Sequence, residues 1–204
     1  MNQHSTSDKT PKTRRGRETR EKLLQAAEIE FGERGFHDAA ISGITQRAGV
    51  ALGTFYVYFD SKEEVFRALV QYMGHLTRTW IAERVAESDD RLAAERQGVE
   101  AFIDFVRTHR NLYRIVSEAQ FVAEDEYRAY YTSFANAYQD NLRQAAADGE
   151  IRDANYEIWS WALIGMNVFV GMRYSVWNDE ESSREIAESI ADLIGTGMTL
   201  GGKN

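Results

Sequence analysis

Proline occurs once in this 204-residue chain, at Pro11. A proline inside a helix costs about 3 kcal/mol, so its absence from residue 12 onward leaves the whole remainder free to be helical. The apolar residues use that freedom: they recur three and four positions apart, and strand-like alternation is nearly absent. The pattern predicts an all-α fold of about nine helices. They are expected near residues 17–34, 41–48, 51–59, from 61 to the break at Ser88-Asp89-Asp90, then 91–109, 111–120, 125–148, 155–177 and 181–198. Gly35 should end the first helix as a left-handed C-cap, and Gly49 should turn the chain between the second and third.

With 43% hydrophobic and 27% charged residues the composition is that of a soluble globular protein. No cysteine is present, which excludes disulfides, thiolate metal sites and a cysteine nucleophile. The opening residues MNQHSTSDKTPKTRRGRETR are polar and hold no signal-peptide core. The longest apolar stretch, Trp161 to Val170, is broken by Asn167 and is far short of the ~20 residues a bilayer span needs. The expectation is a cytoplasmic protein without a membrane partner.

Charge is uneven. Residues 1–62 carry ten Lys/Arg against eight Asp/Glu, and residues 63–204 carry fourteen against twenty-four. A small basic end on an acidic body points to one end meeting a polyanion. Catalysis finds no support. His4, His37, His75 and His109 are scattered without metal-ligand spacing, and no strand leads into a glycine-rich phosphate loop. The carboxylate runs Glu124-Asp125-Glu126 and Asp179-Glu180-Glu181 fit helix N-termini. No enzyme activity, cofactor or metal is expected.

The stretch GVALGTFYVYFDSKEE, from Gly49 to Glu64, places four aromatics in five positions. Two short helices joined by a glycine turn, after a longer one, make a helix-turn-helix pattern, whose last helix enters the major groove. Phe55 and Phe59 are four apart and share the inward face. Leu52, Gly53, Thr54, Tyr56, Val57 and Tyr58 are left around the outside, where tyrosine hydroxyls reach phosphate oxygens. Ser61 and Glu64 form a capping-box pattern for the next helix.

From Leu23 to Phe66 the sequence resembles the DNA-binding domain of the TetR/AcrR family of bacterial transcriptional regulators. The matching pieces are LLQAAEIEFGERGF at 23–36, ISGITQRAGV at 41–50 and ALGTFYVYFDSKEEVF at 51–66. The resemblance implies an N-terminal three-helix helix-turn-helix domain over 17–62, after a disordered basic arm at 1–16. A helical effector-binding and dimerisation domain would follow over 63–204. Gly53 and Thr54 match positions meeting the DNA backbone. Tyr56 and Tyr58 match phosphate contacts, and Lys62 matches a phosphate clamp. Ser42 and Gln46 match positions reaching phosphates or base edges, and Leu52 and Val57 sit where members vary and can meet thymine methyls. The basic Arg14, Arg15 and Arg17 would neutralise phosphates. There are departures. Ala40 and Ala51 stand where a hydroxyl residue is usual, Tyr58 where histidine is usual, and Glu30 where leucine is frequent.

The resemblance also implies a homodimer on a pseudo-palindromic double-stranded operator, released by a small apolar effector, with repression as the expected sign. Residues 157–177, EIWSWALIGMNVFVGMRYSVW, are apolar nearly all round, so this helix is buried on more than one side and is expected to pair with 181–198 across the dimer. Candidate effector contacts are the aromatics Phe102, Phe105, Phe121, Tyr131, Phe134, Trp159 and Phe169. The polar candidates are His109, Arg114, Asn167 and Arg173, with Arg173 alternatively pairing to Glu118 or to a carboxylate of a second subunit. Cationic side chains facing the cavity would suit an acyl or aromatic acid, or its coenzyme A thioester. The rival readings are an activator, or a protein-interaction module whose helix-turn-helix contacts have changed.

Overall fold

The computed structural model describes residue 9 and residues 11–198, and every described element is helical. The elements are α1 (Arg14–Asp38), α2 (Ile41–Ala48), α3 (Leu52–Tyr58), α4 (Lys62–Val85), α5 (Arg91–Thr108), α6 (Leu112–Val122), α7 (Glu124–Ala147), α8 (Tyr156–Gly171), a π-helical segment (Met172–Trp177) and α9 (Ser183–Met198). Of the arm expected at residues 1–16, residues 1–8 and 10 lie outside the described residues. α1 begins three residues earlier than the periodicity predicts, because Thr13 caps it by accepting the Gly16 N–H at 3.1 Å.

Glycines set the breaks. Gly35 adopts φ 76°, as expected, but with ψ 167° it is extended rather than left-handed helical; a last short turn, Phe36–Asp38, follows it. Gly49 is left-handed at φ 67°, ψ 34°, and its N–H closes on the α2 carbonyls. The expected capping box opens α4. Ser61 Oγ accepts the Glu64 N–H at 3.1 Å, while the Glu64 carboxylate takes the Asp60 N–H, one residue earlier than the usual pairing.

The chain forms two compact units. The first holds the described residues through Tyr72 together with Asn111–Tyr127. Its fully buried side chains include Leu23, Leu24, Phe31, Ile44, Phe55 and Phe66. Phe66 meets Phe31 and Phe36 edge-on, each at 5.0 Å between ring centres; each such ring contributes roughly 1.5–3 kcal/mol by burial. Helix α6 belongs to this unit. Arg114 donates to the carbonyls of Gly32 and Glu33 at 2.9 and 3.0 Å, and Glu118 accepts the Phe36 N–H at 2.6 Å. Two glycines make the landing: a Cβ at Gly32 would fall 2.0 Å from Asn111, and one at Gly35 would fall 2.7 Å from both Arg114 and Glu118.

The second unit holds Met73–Arg110 and the described residues from Arg128 onward. Helix α5 packs against α9, α8 and the π segment. One core joins Val99 and Ile103 to Ile186 and Ala187, and another joins Leu142, Ile151 and Leu163 to Ile194 and Met198. The sequence pattern predicts one helix over 155–177. The structure instead widens it after Gly171, where the Asn178 N–H reaches the Arg173 carbonyl at 3.2 Å. Arg107 from α5 takes the Tyr174 carbonyl in this wide turn at 2.9 Å.

Candidate functional site

Helix α3 divides as its spacing predicts. Phe55 and Phe59 are buried and in ring contact at 5.6 Å. On the other side Leu52 is 51% exposed, Tyr56 46% and Val57 62%. Gly53 and Ala51 are exposed with them, and Thr54 and Tyr58 are half-buried. Ser42 and Gln46 lie exposed on α2, and Arg14, Arg15 and Arg17 lie exposed on the first turn of α1. That turn and the end of α3 are neighbours, since a Cβ at Gly16 would fall 3.7 Å from the Tyr58 hydroxyl. An exposed small-and-aromatic helix face beside a basic turn can meet base edges and phosphates together.

Lys62, expected as a phosphate clamp, is engaged within the chain. Its ammonium donates to the carbonyls of His37 and Ala39, each at 3.0 Å, and lies 4.7 Å above the Phe36 ring. It ties the start of α4 to the last turn of α1.

Neither short helix has a side-chain cap at its N-terminus, where Ala40 and Ala51 stand. At α2 a carboxylate from α1 takes the N–H of the cap residue itself. Glu30 is buried and receives the Ala40 N–H at 3.4 Å, Arg47 Nε at 2.9 Å and Arg34 Nε at 3.2 Å. Gly43 gives it room, since a Cβ there would fall 2.3 Å from the carboxylate. The sequence registers Glu30 only as a departure. The signal that could have exposed its role is a carboxylate on an apolar stripe, one residue before Phe31, together with two uncapped helix starts.

The candidate effector residues are divided between the two units. Arg114 and Phe121 lie in the first unit, where Arg114 is bound to α1 carbonyls and Phe121 is 83% exposed. Phe169 is 68% exposed, and Arg173 is exposed with its guanidinium 4.9 Å over Tyr174. Glu118, its alternative partner, bonds Arg114 and Phe36. Within the second unit, buried Phe105 stacks on His109 at 4.4 Å, and Phe102 is half-buried. Tyr130 brings Tyr131 and Phe134 together at 5.1 and 5.2 Å, while Trp159 lies 4.6 Å under Arg152.

Asn167 leads to residues the sequence reading missed. Its amide donates to the Tyr138 hydroxyl at 3.3 Å, and Tyr138 donates to Glu95 at 3.0 Å. Arg91 lies 2.9 Å from the other Glu95 oxygen. Burial, with the Glu95 charge beside it, holds the Tyr138 phenol well above its usual 10.0. Burial likewise raises the Glu95 carboxyl, against the opposing pull of Arg91 and Tyr138. The Asn167 carbonyl oxygen is sealed from solvent and has no hydrogen-bond partner, a state that costs roughly 1–3 kcal/mol unless something fills it. The available signal was Glu95 itself, a charge on the stripe that runs from Leu92 to Val99.

Helix α8 exposes Ile158, Trp161 and Phe169, the π segment Val176 and Trp177, and α9 Leu193. An open cavity of about 260 Å³ between the π segment and α9 is lined by Tyr174, Glu181, Glu185, Ile186, Ser189 and Ile190, none of them a predicted effector residue. Among the described residues no helix is long and apolar enough to cross a membrane, and no cluster of three metal-ligating side chains occurs.

With this geometry in view, residues 23–69 match the bacterial regulatory proteins of the tetR family. The uncharacterized HTH-type transcriptional regulator YdgC of Bacillus subtilis (strain 168) is 30% identical over 157 residues, covering 74% of this chain and 78% of that protein. The HTH-type transcriptional activator FasR of Mycolicibacterium smegmatis is 29% identical over 174 residues, covering 83% and 78%. Among solved structures, the Bacillus subtilis transcriptional regulator FadR in complex with stearoyl-CoA superposes with a TM-score of 0.73 at 19% identity, over 87% of this chain and 98% of that one.

Proposed function

The chain belongs to the tetR family of bacterial regulatory proteins, DNA-binding helix-turn-helix transcriptional regulators, and from that premise we propose that it is a homodimeric repressor that leaves its operator when a small apolar effector binds. The observation that carries the reading is α3, where buried Phe55 and the buried C-cap residue Phe59 leave Leu52, Gly53, Tyr56 and Val57 exposed to solvent. Leu52 and Val57 would meet thymine methyls and Tyr56 a phosphate, with Arg14, Arg15 and Arg17 neutralising the backbone.

The second subunit is supported by the exposed apolar residues of α8, the π segment and α9. Single exposed hydrophobics are ordinary, but six large ones on adjoining elements mark an interface. A two-fold dimer would set two α3 helices about 34–36 Å apart, one turn of DNA. The effector reading is supported by the unfilled Asn167 oxygen and by the FadR structure, whose ligand is a long-chain acyl thioester. Effector and operator would then oppose each other by linkage, each favouring a different spacing of the two recognition helices. Within the first unit α6 is held to α1 through Arg114 and Glu118, so the two would move together.

The test is a mobility-shift titration with a duplex selected from a random library by the full-length chain. Stearoyl-CoA is the probe effector, and sedimentation gives the subunit number. Release of DNA from a dimer is expected; a monomer, or a complex indifferent to saturating acyl thioester and free fatty acid, overturns the reading. The activator FasR among the relatives favours activation as the second reading. A reporter gene behind the selected operator separates the two by the sign of its response.

A further inference from the structure

We propose that Lys9 is a positioning residue of the operator interface, which braces the C-terminal end of α3 instead of neutralising a DNA phosphate. Its ammonium donates to the Tyr56 carbonyl oxygen at 2.9 Å and pairs with the Asp60 carboxylate. The side chain is only 19% exposed, whereas Arg14, Arg15 and Arg17 stand in solvent.

The need for such a brace follows from α3 itself. It has seven residues and no side-chain bond at its N-cap, Ala51. A helix this short is marginal in isolation, and its final carbonyls have no partner within the helix. A cation at that end satisfies a carbonyl and complements the helix dipole. Tyr56 is also one of the outward rings, so fixing its peptide fixes the direction in which that ring meets DNA. The approach of the chain to α3 is set by Gly16: a Cβ there would fall 2.9 Å from Pro11, so the missing side chain lets residues 11–13 lie against the first turn of α1. Arg17 adds a bond to the Lys12 carbonyl at 3.2 Å.

Phosphate contact and helix bracing differ in their response to salt. Loss of one phosphate contact lowers the slope of log K against log salt by about 0.9; loss of an internal brace lowers affinity and leaves the slope alone. The full-length chain, Lys9→Met, Lys9→Arg and Arg15→Ala are titrated between 50 and 200 mM salt against the duplex selected by the full-length chain. Amide exchange of α3 is followed in the free proteins, with α1 as the internal reference. Lys9→Met is expected to weaken binding about three- to tenfold at unchanged slope and to speed exchange in α3. Lys9→Arg should restore both, and Arg15→Ala should lower the slope. A slope reduced by about 0.9 in Lys9→Met, or unaltered affinity, or unaltered α3 exchange, each overturns the proposal.

Discussion

Two long helices of the second unit, α5 and α8, start on side-chain caps of their own, while the two short helices that carry the DNA-binding face have none. Asp90 starts α5 by accepting the Ala93 N–H at 2.8 Å, and Asn155 starts α8 by accepting the Ile158 N–H at 3.2 Å. Helices α2 and α3 start on alanines without a side-chain cap. The N-terminus of α2 leans on Glu30 and the C-terminus of α3 on Lys9. A self-capped helix keeps its ends whatever its neighbours do. A borrowed cap makes helix position depend on tertiary contacts, and in the first unit the borrowers are the elements that must be aimed at DNA.

The largest expected effect contrasts a buried with an exposed aromatic. Phe55→Ala should destabilise the DNA-binding unit by about 3–5 kcal/mol and abolish operator binding. Phe169→Ala, at a ring 68% exposed, should leave monomer stability within about 0.5 kcal/mol and weaken dimerisation. Denaturant titrations and sedimentation read the two; equal stability losses would break the division of the aromatics into core and surface.

The capping contrast comes next. Glu30→Ala strips a buried carboxylate from two arginines and from the Ala40 N–H, and should cost about 2–3 kcal/mol, discounted because Arg34 and Arg47 remain partly in water. Asp90→Ala removes a local cap only and should cost about 1 kcal/mol. If the two losses measured by urea unfolding coincide, the borrowed cap is no more consequential than the local one.

The buried carboxylate of the second unit gives a pH signature. Glu95 sits above its ordinary value near 4.5, chiefly through burial. The folded state therefore holds that proton more tightly than the unfolded one. Its stabilising contribution is complete below the unfolded value and is lost as pH rises through the folded value. Relative to Glu95→Gln, the natural chain should lose stability as pH is raised from 4 toward 7 in urea titrations. A gain with pH would mean that pairing with Arg91 outweighs burial.

What the sequence discloses follows the same line. The nine α-helices among the described residues and the inward pair Phe55–Phe59 were legible because periodicity and four-residue spacing are local. So was the Ser61–Glu64 cap, to within one backbone N–H. Glu30, Lys9 and the Asn167–Tyr138–Glu95 line were not, because these partners lie ten to about fifty residues away and no local pattern encodes them. The aromatics of the second unit failed for another reason. A helix apolar on every side, as α8 is, has no preferred face in its periodicity, so the sequence could not tell exposed Phe169 from half-buried Trp159. The π turn after Gly171 left no mark either, since its residues are ordinary helix formers.

The smallest effect is the most direct test of the comparison, because it adds a group instead of removing one. Ala51 already has the extended backbone of an N-cap, φ −69° and ψ 150°, and its side chain is exposed. Ala51→Ser places a hydroxyl within reach of the first-turn N–H groups of α3 and should stabilise the first unit by about 0.5–1 kcal/mol. If α3 depends on Lys9 because it lacks a cap of its own, the new cap should also reduce the damage done by Lys9→Met. The double variant should then exchange its α3 amides more slowly than Lys9→Met alone, by more than Ala51→Ser slows them in the natural background. Strictly additive effects would mean that the two ends of α3 are held independently, and that borrowing at one end is no answer to the missing cap at the other.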